Sequence, residues 1–240
     1  MTDRTLDALL ADLVIANRIL AHEGVLDDFG HVSARDPHDP SRFWLSASRS
    51  PELVSRADLL RFDLDGRPED PGQRRPYLET IVHARLYAAR PDVRAIVHHH
   101  ARAVLPFTVT KRPLRPVFHL AAVLGEAVPV WDSVPEFGDT AMIIADGAVA
   151  DSHARAMGGG NSLLLRGHGA TNAEAGLAAV TFVAVTLRDN AEVQAAAEAM
   201  GEVQYLSPGE IALTAKMQMG ERPLSRSWEY RRARAGFAGL

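Results

Sequence analysis

The sequence predicts a single α/β domain, and three observations carry that expectation. Helix-type and strand-type hydrophobic patterns alternate along the chain, most plainly between Leu78 and Val97. An apolar fraction of 47% supplies a real core, so a disordered chain is not expected. No internal repeat or linker interrupts the 240 residues, a length that suits one large α/β domain or two small ones. Residues 1–240 are therefore taken as one domain, with 220–240 as a tail that covers a site or packs on a neighbour.

Leu6, Leu9, Leu10, Leu13, Ile15 and Leu20 mark an amphipathic first helix, with Thr2 or Asp3 as the expected cap and Gly24 just past its end. Gly30 to Arg35 alternates like a strand, Asp36 to Pro40 is dense turn chemistry, and Phe43 to Ser46 returns as a second strand. Leu59 to Leu64 is a third strand, closed by Asp65-Gly66. His31, Ser33, Ser46 and Ser48 fall near strand ends and are candidate ligand contacts, the plainer alternative being solvated strand ends. Arg67 to Pro76 reads as a loop feeding a helix that starts near Pro76. Within it Arg74 and Arg75 are candidates for a substrate carboxylate, whose geometry a guanidinium fork matches; a solvated pair is the alternative.

The stretch from Glu79 to His100 carries the densest chemistry. Leu78, Ile81, Val82, Leu86 and Ala89 give a helical stripe that presents Glu79 and His83, and Pro91-Asp92 ends it. Val93 to Val97 follows as a strand ending in three histidines. Side chains alternate along a strand, so His98 and His100 share a face while His99 points the other way. Two such imidazoles can grip one divalent cation, although the tripeptide alone is more often a polar strand end or loop.

Ala101 to Phe107 reads as a short helix, Leu114 to Phe118 as extended, and His119 as opening a helical segment. His119 is a candidate ligand contact or a core histidine with a satisfied hydrogen bond. Val128 to Val130 is a short strand, and Thr140 to Met157 is helical in pattern with a weak point at Asp146-Gly147. Ser162 to Leu165 is a buried strand leading into Gly167-His168-Gly169, whose glycines allow a sharp bend or a close approach. Ala173 to Met200 reads as one long buried helix, and Ser207-Pro208 caps another.

Composition narrows the function. A net charge of −4 argues against nucleic acid or an anionic membrane as the main partner. The absence of cysteine removes disulfides, thiol catalysis and Cys-type zinc sites, and fits a reducing cytoplasm. The first residues lack the apolar core of a signal peptide, and no apolar run is long enough to span a bilayer.

GHVSAR, LSASRS, the ETIVHARLYAARPD–VRAIVHHHARAV block and LLLRGHGAT stand in the order and spacing of the class II aldolase/adducin family. The chain resembles that family from its first helix to about residue 219. The resemblance implies a three-layer α/β/α domain with a central, mainly antiparallel sheet. It also implies one divalent metal ion (Zn, Mn or Fe) on His98, His100 and His168, with Glu79 as acid/base. Family enzymes are commonly C4 tetramers with sites between subunits, so a homotetramer acting on a small molecule is expected. Metal Lewis acidity stabilises the enolate left when a carbon–carbon bond breaks, and Glu79 moves the proton.

Departures from the family pattern bear on the substrate. Sugar-phosphate members hold the phosphate with an asparagine, a Thr/Ser-Gly turn and a Ser-Ser pair. Here those places carry His31, Ser46-Ala47-Ser48-Arg49 and Tyr77-Leu78. A non-phosphorylated substrate is expected, and the pattern resembles the family's decarboxylases of hydroxylated aromatic or heteroaromatic carboxylic acids. His31 and Arg74 or Arg75 are then candidates for a second carboxylate. Three alternatives stay open: an aldolase cleaving a hydroxy-carbonyl compound or sugar derivative, an Fe(II)-dependent oxygenase, and a non-enzymatic adducin-like binding module.

Overall fold

The computed structural model describes residues 6–237; the expected caps Thr2 and Asp3 lie outside them. Seven strands form one sheet in the order β3-β2-β1-β4-β7-β6-β5. They are β1 (His31–Arg35), β2 (Arg42–Ser46), β3 (Leu59–Asp63), β4 (Ala95–His99), β5 (Val130–Trp131), β6 (Ser162–Leu165) and β7 (Gly169–Glu174). All pairings are antiparallel except β5 with β6. The helices are α1 (Leu6–His22), α2 (Thr80–Ala89), α3 (Leu105–Val109), α4 (Val134–Phe137), α5 (Gly147–Met157), α6 (Leu177–Met200), α7 (Pro208–Gln218) and α8 (Glu221–Arg232). None among the described residues is long and apolar enough to cross a membrane.

Helices cover both faces, as the resemblance implies. On one face Val32, Ala34, Ala95 and Val97 pack against Leu13, Ala16 and Leu20 of α1 and Val180 and Ala184 of α6. On the other, Phe43, Leu45, Phe62 and Ile96 meet Ala84, Leu86 and Tyr87 of α2 and Ala154 and Met157 of α5. Two covered faces explain why all five residues of β1 are buried, His31 and Ser33 included. The expectation of solvated strand ends fails there.

The short helix expected over Ala101 to Phe107 spans Leu105–Val109, and the strand expected over Val128 to Val130 spans Val130–Trp131. Three further differences in boundary bear on the site. The helix expected near Pro76 begins at Thr80, leaving Glu79 at its N-cap. The helix expected from Thr140 begins at Gly147, because the Asp146 carboxylate accepts from the N–H groups of Ala148 and Val149 and caps it there. Residues 138–146 instead form a loop over the site. The helix expected from Ala173 begins at Leu177, because residues 169–174 pair with β4 and β6 as β7. Small, polar Gly-Ala-Thr-Asn-Ala-Glu carries little strand signal, and tertiary pairing decides it. The tail folds as α8 on its own chain: Trp228 packs on the α1/α6 cluster, and Arg231 reaches Glu23 at 3.2 Å.

Candidate metal centre

Three adjacent strands build the site. Across β1, β4 and β7, His31, His98 and Thr171 stand in one row of the ladder. The two-residue period sends His98 to the α2 face with Ile96. His99 goes to the opposite face, where its Nε2 meets Asn172 Oδ1 at 3.0 Å. His100 lies just past the end of β4. Between β6 and β7, Gly167 turns the chain at φ +65, a left-handed conformation that favours glycine. At Gly169 a Cβ would run into the His99 carbonyl, so only glycine lets β7 close on β4 here. Together the two glycines set His168 beside His98 and His100.

One ligand atom each from Glu79, His98, His100 and His168 lies within 4.8 Å of the others. His168 Nε2 is 3.0 Å from His98 Nε2 and 3.1 Å from His100 Nε2. The outer nitrogens fix which inner ones are bare. His168 Nδ1 donates to Met142 O at 2.7 Å, and His100 Nδ1 donates to the Asp27 carboxylate at 3.1 Å. A neutral imidazole has one N–H, so both Nε2 atoms turn lone pairs towards each other. His98 Nδ1 lies 3.1 Å from Thr171 Oγ1, which can take its proton in the same way. Lone pairs this close repel unless a cation or a proton stands between them. Nitrogens that bind one ion at ~2.1 Å at right angles are themselves about 3.0 Å apart, so the donor set fits a divalent metal.

Glu79 closes the set. At the N-cap its side chain makes no capping bond. Oε1 accepts instead from Ile144 N at 3.0 Å, and Oε2 lies 3.4 Å from His98 Nε2. Burial pushes this carboxyl up, but the His98 and His31 imidazoles beside it outweigh burial and hold it far below the usual carboxylate range. Burial holds His98 down at about 3, neutral as a ligand must be.

Asp27, which sequence reasoning missed, is also held low. Burial raises it, but His100 and the N–H groups of Phe29 and Gly30 more than reverse that. A carboxylate–histidine pair behind a metal site is the usual way such a ligand is oriented. Its only sequence signal is the turn chemistry of Asp27-Asp28-Phe29-Gly30. Also missed is a buried chain behind His31. His31 Nδ1 meets His83 Nε2 at 2.7 Å, Ser33 Oγ lies 2.6 Å from His83 Nδ1, and Tyr87 Oη lies 2.9 Å from Ser33 Oγ. His83 and Tyr87 stand four and eight residues after Glu79, on one helix face, which is the signal available for them.

The site opens into a cleft of about 290 Å³ lined by His31, Ser48, Tyr77, Glu79, His100 and His168, with Phe29, Leu78 and Ile143 on its apolar wall. Tyr77 tilts against His31, with ring centroids 4.7 Å apart. Its hydroxyl lies 3.2 Å from Ser46 Oγ, accepts from Arg49 N, and donates to the Arg49 carbonyl. Ser46 is thus turned to Tyr77, Ser33 to the buried chain, and Ser48 to the cleft.

The remaining candidates lie elsewhere. The Arg74 guanidinium is engaged by the carbonyls of Ala57, Leu59, Asp70 and Pro71, so it ties down its own loop. Arg75 is exposed and, like Arg74, does not line the cleft. His119 is exposed and borders a separate cavity of about 650 Å³ beside Arg222 and Tyr230. None of the described residues lining the cleft beside Glu79 is a lysine or arginine.

The chain is similar to known decarboxylases in sequence and to a solved aldolase in fold. The decarboxylase tropJ of Talaromyces stipitatus is 29% identical over 235 residues, covering 88% of each chain. A 3,4-dihydroxyphthalate decarboxylase of Terrabacter is 28% identical over 211 residues, covering 84% of this chain and 85% of its own. The structure of L-fuculose 1-phosphate aldolase from Glaciozyma antarctica PI12 superposes with a TM-score of 0.79 at 23% identity, over 96% of this chain and 91% of that one, a likeness of fold. Residues 11–195 match the Class II Aldolase and Adducin N-terminal domain, and the chain belongs to the class II aldolase/adducin family.

Proposed function

We propose that the protein decarboxylates a non-phosphorylated, hydroxylated aromatic or heteroaromatic carboxylic acid with the help of a divalent metal. Relatives spanning most of the chain carry decarboxylase names, and the chain is an enzyme of this lyase kind. The observation that carries the substrate class is Tyr77. Its ring and hydroxyl take up the Ser46–Arg49 turn, where sugar-phosphate members of the family would hold phosphate, and the apolar wall of Phe29, Leu78 and Ile143 suits a flat ring.

A divalent ion (Zn, Mn or Fe) on His98, His100 and His168 would supply Lewis acidity for charge that builds on the substrate oxygens. Glu79, held ionised, accepts the proton of the substrate hydroxyl. It then delivers that proton to the ring carbon bearing the carboxylate. As that carbon–carbon bond breaks, its electron pair returns to the ring oxygen and carbon dioxide leaves. A proton from solvent restores the hydroxyl. The same proposal takes the enzyme as a cytoplasmic homotetramer with sites between subunits; a fully active monomer in light scattering would remove that part.

The test is a screen of hydroxylated aromatic acids for metal-dependent carbon dioxide release. In heavy water the product should carry deuterium at the carbon that lost its carboxylate. Aldehyde release from a phosphorylated sugar, or oxygen consumption by the iron-loaded protein, would replace the proposal with an aldolase or an oxygenase. Metal-free purified protein that takes up no added metal would point to a binding module.

A further inference from the structure

His31 is 1% exposed, yet it lines the cleft, and its Nε2 has no hydrogen-bond partner. Glu79 Oε2 stands 3.8 Å away, too far for a hydrogen bond. A buried polar atom aimed into a cleft is normally completed by what the cleft binds. Whether it completes a donor or an acceptor depends on which ring nitrogen carries the proton.

The buried chain behind His31 decides that. Among the described residues Tyr87 Oη meets only Ser33 Oγ, and Ser33 Oγ meets only Tyr87 and His83. If the hydrogen bonds ran from His31 towards Tyr87, the phenolic hydrogen would be stranded in a fully buried place, and a buried unmade bond is costly. His31 would also turn a bare Nε2 lone pair towards the Glu79 carboxylate. Run the other way, every group is used. Tyr87 O–H donates to Ser33, Ser33 O–H donates to His83 Nδ1, and His83 Nε2–H donates to His31 Nδ1. His31 is left with its proton on Nε2, facing the cleft and the carboxylate. Burial keeps His83 well below its ordinary value, so it stays neutral and the single-proton bookkeeping holds.

We propose that Tyr87, Ser33 and His83 lock His31 as a neutral Nε2–H donor, and that this donor selects a carboxylate oxygen of the substrate. That ligand identity rests on the decarboxylase reading. The cleft has no lysine or arginine among the described residues that line it, so His31 stands where a cation would otherwise meet the acid. Tyr87, Ser33 and His83 are positioning residues; His31 is the contact.

The locking half is tested without substrate. In metal-free protein labelled with 15N-histidine, the His31 ring, identified by its loss in His31→Gln, should show a directly bonded proton at Nε2. In Ser33→Ala, which removes the hydroxyl that donates to His83 Nδ1, both tautomers of His31 should appear. A proton on Nδ1 in the unaltered protein, or an unchanged tautomer in Ser33→Ala, overturns the lock. The ligand half uses the Zn(II)-loaded protein with 2,3-dihydroxybenzoate and with catechol, which lacks the carboxylate. His31→Leu should weaken binding of the acid by roughly tenfold, the worth of one hydrogen bond to a charged group, and leave catechol unchanged. His31→Gln, which keeps an N–H donor, should recover part of that loss. Equal losses for both probes, no loss, or no binding of either probe overturns the carboxylate contact. Failure of every acid to be decarboxylated would sink the proposed function while leaving the tautomer result standing.

Discussion

The two faces of the sheet are built from the same strands and differ at every second residue. Towards α1 and α6, β1 and β4 send Val32, Ala34, Ala95 and Val97 into a packed apolar layer. Towards α2 they send His31 and Ser33 into a hydrogen-bonded chain that ends at Tyr87, and His98 to a place beside Glu79. His99 shows how strictly the faces are kept apart. It sits between two candidate ligands in sequence, yet it is fully buried on the packing face and held by Asn172. A slip of one residue would exchange the layers, so the apolar layer fixes the register of the chemical one.

Metal content is the sharpest way to break this comparison. Alanine at His98, His100 or His168 should strip most of the bound metal after gel filtration. His99→Ala should keep the metal and cost about 1–3 kcal/mol of stability in urea, because Asn172 loses a buried partner. Metal loss in His99→Ala as complete as in His98→Ala would mean that the faces are assigned the wrong way round.

Glu79→Gln probes the chemical face without disturbing the packing. A glutamine oxygen can still accept from Ile144 N, but the amide carries no proton back and forth. Fold and metal should persist while turnover falls by ~10²–10⁴-fold. Full turnover would end the acid/base role.

Acid should reveal what the faces share. His99 on the packing face and His153 beside Thr171 on the chemical face are each pushed down to about 4, chiefly by burial. As pH falls below ~6.5 the unfolded chain binds protons that the native state refuses until about 4. Each histidine should therefore take away up to roughly 3 kcal/mol of stability over that window, with no further loss from that group below it. In metal-free protein, glutamine at either position should flatten the acid limb of the stability curve by a similar amount. A flattening confined to one face would show that burial is not the common cause.

Much of this was legible in the sequence, and the rest was hidden for identifiable reasons. Period-two alternation separated His98 and His100 from His99, and the flanking glycines marked His168. Strand β7 stayed hidden because its residues are small and polar and only the ladder with β4 makes them a strand. The loop at 138–146 looked helical because apolar residues recur in it, yet its task is to bring Met142 O and Ile144 N to the site. Arg74 stood as a candidate for a carboxylate or as a solvated charge because nothing local shows that four nearby carbonyls engage it. Asp27 was hidden because its partner lies 73 residues away.

Asp27 also supplies the smallest effect and the finest test of the comparison, because it would act on a bound metal through His100 alone. Its carboxylate accepts from the N–H groups of Phe29 at 3.0 Å and Gly30 at 2.9 Å as well as from His100. An asparagine oxygen can accept the same hydrogens, so Asp27→Asn should leave the turn and the His100 tautomer in place and remove only the charge. That charge makes His100 a stronger electron donor at Nε2. Metal affinity should fall by about 10–100-fold, the usual worth of such a partner, with little change in the urea midpoint of the metal-free protein. A large drop in that midpoint would make Asp27 a structural brace for the turn before β1. Unchanged metal affinity would mean that His100 does not carry the metal.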